Sequence, residues 1–206
     1  MKVFVVNILK MKAKVDELTA DLSSEEVLFA ERLKNSNAKD RFIISKAMVR
    51  KILADTKPLK GTAPASIEIK LESNGKPYVA GNPIYYNVSH SKDLLVVAVD
   101  NADVGVDIEH MKERDFRALT RYYFDGREGI IECISQSSDV KTEFYKQWTL
   151  AEAEAKLAGV GVFGWKQQKG QSGAKFHYSR TIGDDYMLTV ASNVVAGSGI
   201  DIGMII

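Results

Sequence analysis

Apolar residues near the N-terminus run without a break from Val3 to Val6 and stop at Asn7, which predicts a first, buried β-strand. Ser23 and Ser24 then precede Glu25 and Glu26 and lead into Val27, Leu28 and Leu33, the pattern of a helix start. A second helix is predicted from about Lys39 to Ala54. Its apolar residues Ile44, Met48 and Ile52 recur every four positions, while Arg41, Lys46, Arg50 and Lys51 occupy other faces. Pro58, Gly61 and Pro64 mark the loop that follows.

The middle of the chain reads as strand. Ser66 to Leu71 alternates, Asn74-Gly75 marks a turn, and Ile84 to Val88 is aromatic and β-branched. The apolar run Leu94 to Val99, the four residues Asp100 to Asp103 and the run Val104 to Glu109 together predict a buried β-hairpin. On its second strand Asp107 and Glu109 are two apart and share a face, with Val106 and Ile108 on the other. Helical patterns return at about Glu113 to Tyr123, at Arg127 to Ile134, and from Asp139, a candidate N-cap, to Gly159, a candidate stop. In that last helix Val140, Phe144, Trp148, Ala151 and Ala155 form the expected buried stripe, and Glu152 and Lys156 lie beside it at i and i+4. A strand from Tyr186 to Ala191 closes the pattern, and the class is α+β.

Composition narrows the reading. With 206 residues, 45% of them hydrophobic and 27% charged, the chain can bury a core without disulfides or a structural metal. Cys133 is its only cysteine, which excludes an internal disulfide and a cysteine-based zinc site. No stretch approaches the ~20 apolar residues that span a bilayer. A cytoplasmic address, with no membrane partner, is the expectation. The net charge of +1 argues against a polycation working on nucleic acid. That sum hides an asymmetry: Glu31 to Lys60 carries nine basic residues against three acidic, and Asp100 to Lys156 eight basic against thirteen acidic. Such a split fits an anion bound by one half and a cation by the other, or simply two solvated helix faces.

Three constellations could carry chemistry. Gly159-Val-Gly-Val-Phe-Gly164 satisfies a dinucleotide-binding pattern, but it follows a helix instead of opening one, so it reads as a helix stop and turn. Asn87-Val-Ser-His-Ser91 reads as a small-residue loop whose hydroxyls and imidazole could meet phosphate oxygens, or as a plain polar turn. Asp107, Glu109 and Glu152 supply the hard oxygen ligands that suit Mg²⁺, with Lys156 one helical turn beyond Glu152. From spacing alone, an exposed helix pair beside an acidic strand end is the better explanation of that trio.

The ordered set resembles the 4′-phosphopantetheinyl transferases, specifically the larger two-halved type that modifies synthase carrier proteins. The resemblance runs from about Arg41 to Gly161. It rests on Arg41 near the start of a helix ending in Val49-Arg50, Asn74-Gly-Lys-Pro77, Asn87-Val-Ser-His-Ser91, Gly105-Val-Asp-Ile-Glu109 and Trp148-Thr-Leu-Ala-Glu-Ala-Glu-Ala-Lys156. It implies an α+β fold of two similar α/β halves related by a pseudo-twofold. Each half is a small, mainly antiparallel sheet with packed helices, divided as residues 1–100 and 101–206, with the cofactor in the cleft between them. It further implies that Arg41, Lys76, Ser89 and His90 contact the phosphates of coenzyme A, and that Lys76 and Pro77 border its adenine end. Asp107, Glu109 and Glu152 would surround Mg²⁺, with Lys156 on the pyrophosphate. The chain departs from the family at Ala151, where a lysine usually precedes the metal-binding glutamate, and at Val162, where leucine is usual.

The reaction so implied is attack by a serine of an acyl or peptidyl carrier protein on the β-phosphate of coenzyme A, releasing adenosine 3′,5′-bisphosphate. Glu152 would take the serine proton and Lys156 would offset charge on the departing phosphate. Carrier proteins of this kind are acidic, and Arg114, Arg117 and Arg121 fall on one face of the helix predicted after Glu109, as a docking face or as solvated charge. Two halves forming one cleft let a monomer suffice. Two other readings stand beside this one: a catalytically impaired coenzyme A or carrier-binding module, and a Mg²⁺-dependent pyrophosphate hydrolase.

Overall fold

The computed structural model describes residues 1–81, 84–161, 164, 174–194 and 199–205. Strand β1 (Lys2–Asn7) turns directly into α1 (Ile8–Met11), because the Asn7 side chain accepts the amides of Leu9 and Lys10. Helix α2 (Val15–Thr19) precedes α3 (Ser24–Arg32), which opens on a reciprocal capping box between Ser23 and Glu26. The long helix α4 (Ser36–Asp55) starts three residues before the expected Lys39, since Asn35 accepts the Ala38 amide at 3.0 Å and caps it there. Short strands β2 (Ile69–Leu71) and β3 (Pro77–Val79) form a hairpin across the Asn74-Gly75 turn. Next come β4 (Tyr85–Ser91), β5 (Leu94–Asp100) and β6 (Val104–His110). Helices α5 (Phe116–Tyr123), α6 (Glu128–Gln136) and α7 (Val140–Leu157) follow, and strands β7 (Phe176–Ile182), β8 (Tyr186–Ser192) and β9 (Asp201–Ile205) complete the order.

The strands form a four-stranded sheet of order β4-β5-β1-β9, the β2-β3 pair, and a three-stranded sheet of order β6-β8-β7. All pairings are antiparallel except β1 with β9, through which the C-terminal strand returns to the first sheet. Alternation along β1 and β5 sets the layers. Val6, Leu95, Val97 and Val99 face α4 and its Ile44, Ala47, Met48 and Ile52. Val3, Val5, Val96 and Ala98 face Val104, Val106, Ile108, Leu188 and Val190 of the second sheet. Helix α7 covers the outer side of that sheet through Ala151, Ala153, Ala155 and Leu157. The order is helix, sheet, sheet, helix.

This stacking corrects the expected β5–β6 hairpin. Strand β5 already has β4 and β1 on its two edges, so the chain turns at Asp100 to Asp103 and enters the second sheet instead. The unbroken apolar run of β5 reflects burial on both faces. Two side-chain placements also differ from the periodicity. Arg50 is only 3% exposed: it pairs with Glu26 at 2.6 Å and donates to the carbonyls of Pro64 and Ile67, tying α3, α4 and the following loop together. Val140, at the first turn of α7, is exposed because the helix has not yet reached the sheet. Gly159, at φ +66°, ends the turn after α7 as expected; Val162 and Phe163 of the glycine-rich pattern lie outside the described residues.

Candidate active site

Asn87-Val-Ser-His-Ser91 is not a loop but the body of β4, and its Asn87, Ser89 and Ser91 side chains face the edge of β6. The Val106 amide donates to Asn87 Oδ1 at 3.0 Å, Ile108 to Ser89 Oγ at 3.3 Å, and His110 to Ser91 Oγ at 3.0 Å. Side-chain oxygens spaced by two residues thus satisfy alternate amides of a parallel neighbouring strand, where a backbone ladder would otherwise be required. Two of these oxygens also donate. Ser89 Oγ reaches Asp107 Oδ1 at 2.7 Å, and Ser91 Oγ reaches Glu109 Oε2 at 2.8 Å. The sequence reading missed Asn87 and Ser91 as site residues; their period of two on one strand face was the available signal.

Asp107 and Glu109 share a face of β6, as the alternation predicted, and it is the side that α7 covers. Gly105 lets the helix approach: a Cβ there would lie 2.7 Å from the Leu157 amide nitrogen and closer still to the Ala153 carbonyl oxygen. The close approach carries Lys156 Nζ onto Asp107 Oδ1 at 2.7 Å and to the Val106 carbonyl at 3.2 Å. Asp107 Oδ2 is buried without a hydrogen-bond partner among the described residues.

Three carboxyls are pushed above their ordinary range. Burial raises Asp107, opposed by the ammonium and hydrogen bond of Lys156 and by Ser89. Burial likewise raises Glu109, with the Asp107 charge adding to it and hydrogen bonds from Ser91 and Trp148 opposing. Glu152 is pushed up to about 7 by burial and by the charges of Asp107 and Glu109, against the pull of Lys156. Burial is the largest cause in each case, and the charges of Asp107 and Glu109 acting on Glu152 mean that the strand and the helix bring these carboxyls near one another.

Among the described residues, no group of three or more His, Cys, Asp or Glu side chains is arranged to hold a metal ion as it stands. The donor chemistry nevertheless fits a hard divalent cation. Asp107 Oδ2 is an orphaned buried acceptor, and the three carboxyls share an excess of negative charge that one ammonium only partly offsets. Mg²⁺ commonly takes one or two protein carboxylates and completes its shell with water and phosphate, so a preformed cage is not required.

The other predicted residues fall into two regions. Arg41, Pro77 and His90 line a groove of about 370 Å³ together with Phe42, Lys46 and Tyr86. His90, next to Ser89 on β4, is exposed and points to this opposite side of the strand. Arg41 is held by Asp93 at 3.4 Å and by the carbonyl of Lys92. Lys76 is turned toward the second sheet, pairing with Asp103 at 2.5 Å and donating to the Leu157 carbonyl.

The three arginines do not share a helix face. Asp115 caps α5, so Arg114 precedes the helix. It lines a space of about 500 Å³ beside Glu109, Lys92, Lys112 and Trp148. Arg117 and Arg121 flank a separate groove of about 470 Å³ floored by Phe116, Ile131 and Ile134.

No family model matches the chain. Among curated proteins it is similar to the 4′-phosphopantetheinyl transferase psf-1 of Bacillus pumilus, 30% identical over 169 residues, or 79% of this chain and 70% of that protein. It is similar too to the 4′-phosphopantetheinyl transferase HetI of Nostoc sp., at 29% identity over 73% of this chain and 65% of that protein. A 4′-phosphopantetheinyl transferase of Bacillus subtilis is 29% identical over 71% of this chain. The chain spans 64% of that last relative's length.

Proposed function

The chain belongs to the 4′-phosphopantetheinyl transferase family, and on that premise we propose that it transfers the 4′-phosphopantetheine group of coenzyme A to a serine of an acyl or peptidyl carrier protein. Adenosine 3′,5′-bisphosphate is the other product. The observation that carries the reading is the convergence of Asp107 and Glu109 from β6 with Glu152 and Lys156 from α7, beside a strand whose other side lines a basic groove.

Arg41 and Lys46 give that groove its positive charge for the nucleotide phosphates, His90 adds a ring nitrogen that can hydrogen-bond them, and Pro77 and Phe42 give it apolar wall. Lys76 joins them by exchanging Asp103 for phosphate oxygens, and Ser89 meets the phosphates from the β6 side of the strand, where its hydroxyl holds Asp107. Asp107, Glu109 and Glu152 would hold Mg²⁺, which when bound offsets the charge of the pyrophosphate. Glu152, with a carboxyl that titrates near neutrality, accepts the proton of the carrier serine hydroxyl. Lys156 Nζ, held by Asp107, faces the negative charge that grows on the leaving phosphate. The serine oxygen forms a bond to the β-phosphorus as the bridging oxygen departs with the bisphosphate. Neither Cys133 nor Ser89 has to act as a nucleophile. The acidic carrier docks on Arg117 and Arg121, with Arg114 nearer the acid cluster.

Incubation with coenzyme A, Mg²⁺ and an apo carrier, followed by intact mass of the carrier, tests the proposal. Addition of one phosphopantetheine group supports it. Bisphosphate release without carrier modification would mean pyrophosphate hydrolysis, and binding without turnover a non-catalytic module. Asp107→Ala should lower transfer at least 100-fold at saturating Mg²⁺, on the order expected when a charge-stabilising contact is lost.

A further inference from the structure

We propose that Ser91 is a positioning residue: its hydroxyl fixes the Glu109 carboxylate in the orientation a divalent cation needs. The inference rests on the reading above, in which Glu109 is a cation ligand. The geometry behind it is independent of that reading. Ser91 Oγ accepts the His110 amide at 3.0 Å and donates its single proton to Glu109 Oε2 at 2.8 Å. A hydroxyl has one donor and two acceptor sites. With the fixed His110 amide directed at an acceptor site, its proton is left for the carboxylate. Glu109 Oε2 is thereby tied to the main chain of its own strand through a neighbouring one, and Trp148 also donates a hydrogen bond to this carboxylate.

The same pattern one pair earlier makes the arrangement systematic. Ser89 accepts the Ile108 amide and donates to Asp107, while Asn87 accepts the Val106 amide and reaches no carboxylate. Asn87 therefore supplies an internal control: it shares the strand-joining role without the carboxylate contact. Groups that orient metal ligands from behind typically contribute 10–100-fold to metal affinity or activity.

The experiment measures Mg²⁺ affinity by calorimetry with coenzyme A present and no carrier, beside the thermal midpoint and steady-state kinetics of each variant. Ser91→Ala and the near-isosteric Ser91→Cys should each weaken Mg²⁺ about tenfold and lower kcat, leaving KM for coenzyme A within twofold. Ser91→Thr, which keeps the hydroxyl, should return the affinity to within threefold of wild type. Asn87→Ala should lower the thermal midpoint but hold Mg²⁺ affinity within twofold. The proposal is overturned by a Ser91→Ala protein that binds Mg²⁺ as wild type does. It is also overturned if Ser91→Thr is as weak as Ser91→Ala, or if Asn87→Ala loses as much affinity. Any of these three failures, with wild type still binding Mg²⁺ and modifying a carrier, removes the role of Ser91 alone. A wild-type protein that does neither removes the transferase reading as well.

Discussion

Replacing Gly105 by alanine inserts one methyl group between β6 and α7, where two main chains touch. The new Cβ would stand 2.7 Å from the Leu157 nitrogen and closer to the Ala153 carbonyl, against an ordinary contact distance of at least 3.4 Å. Both neighbours are helix backbone and cannot rotate away, so α7 has to move outward by about 0.7 Å or more. Overpacking of this kind costs about 1–3 kcal/mol. For a chain of this size each kcal/mol lowers the midpoint by about 2–4 °C, so the drop should be about 2–12 °C. The same shift draws Lys156 and Glu152 away from Asp107, and misplacement by about 1 Å can cost on the order of 100-fold in rate. Differential scanning fluorimetry and a carrier-mass assay read the two effects. Gly129→Ala is the control: none of the described residues lies within 4 Å of its new methyl, and within α6 alanine should stabilise by up to about 1 kcal/mol. A Gly105→Ala protein that melts within 1 °C (about 0.3–0.5 kcal/mol) of wild type and keeps full activity would refute the backbone-contact argument.

Three further outcomes are expected. Because the folded-state carboxyl of Glu152 titrates near 7, above its unfolded value, its contribution to stability is complete below about pH 4.5 and is lost as pH rises through 7. Glu152→Gln should thus stabilise the metal-free protein by about 1 kcal/mol at pH 8, after discounting for solvent access, and by nothing at pH 4.5; denaturant melts across pH check this, and a difference constant with pH counts against it. Arg50→Ala breaks a buried ion pair and orphans two carbonyls, for a loss of about 3–5 kcal/mol that a urea melt would detect. Charge reversal at both Arg117 and Arg121 should raise KM for the carrier several-fold, leaving that for coenzyme A unchanged; an unmoved carrier KM removes this groove as the docking face.

How legible each feature was depended on the distance over which its cause acts. The capping of α3 by Ser23 and Glu26, the α7 limits at Asp139 and Gly159, and the shared face of Asp107 and Glu109 were all readable, because caps and strand alternation act within four residues. The β5–β6 pairing was misread because a run buried on both faces looks the same whether its next strand pairs with it or stacks over it. Arg50 was misread because a cation can leave the polar side of a helix only when a partner such as Glu26 awaits it, and that partner lies 24 positions earlier. Arg114 was placed on α5 because charge spacing does not reveal that Asp115 starts the helix.

By itself the sequence determined the residue types of the site, their order along the chain and the elements that carry them, since hydrogen-bond chemistry and periodicity are local properties. Only the tertiary structure decided that Asn87, Ser89 and Ser91 close the edge of β6 and that the two serines hold its carboxylates. It alone brought Glu152 and Lys156 to Asp107, by way of a glycine that lets helix meet strand. Burial and charge repulsion between groups 45 residues apart then lift Glu152 toward neutrality. Such effects depend on which surfaces meet, and that is set by the packing of both sheets at once.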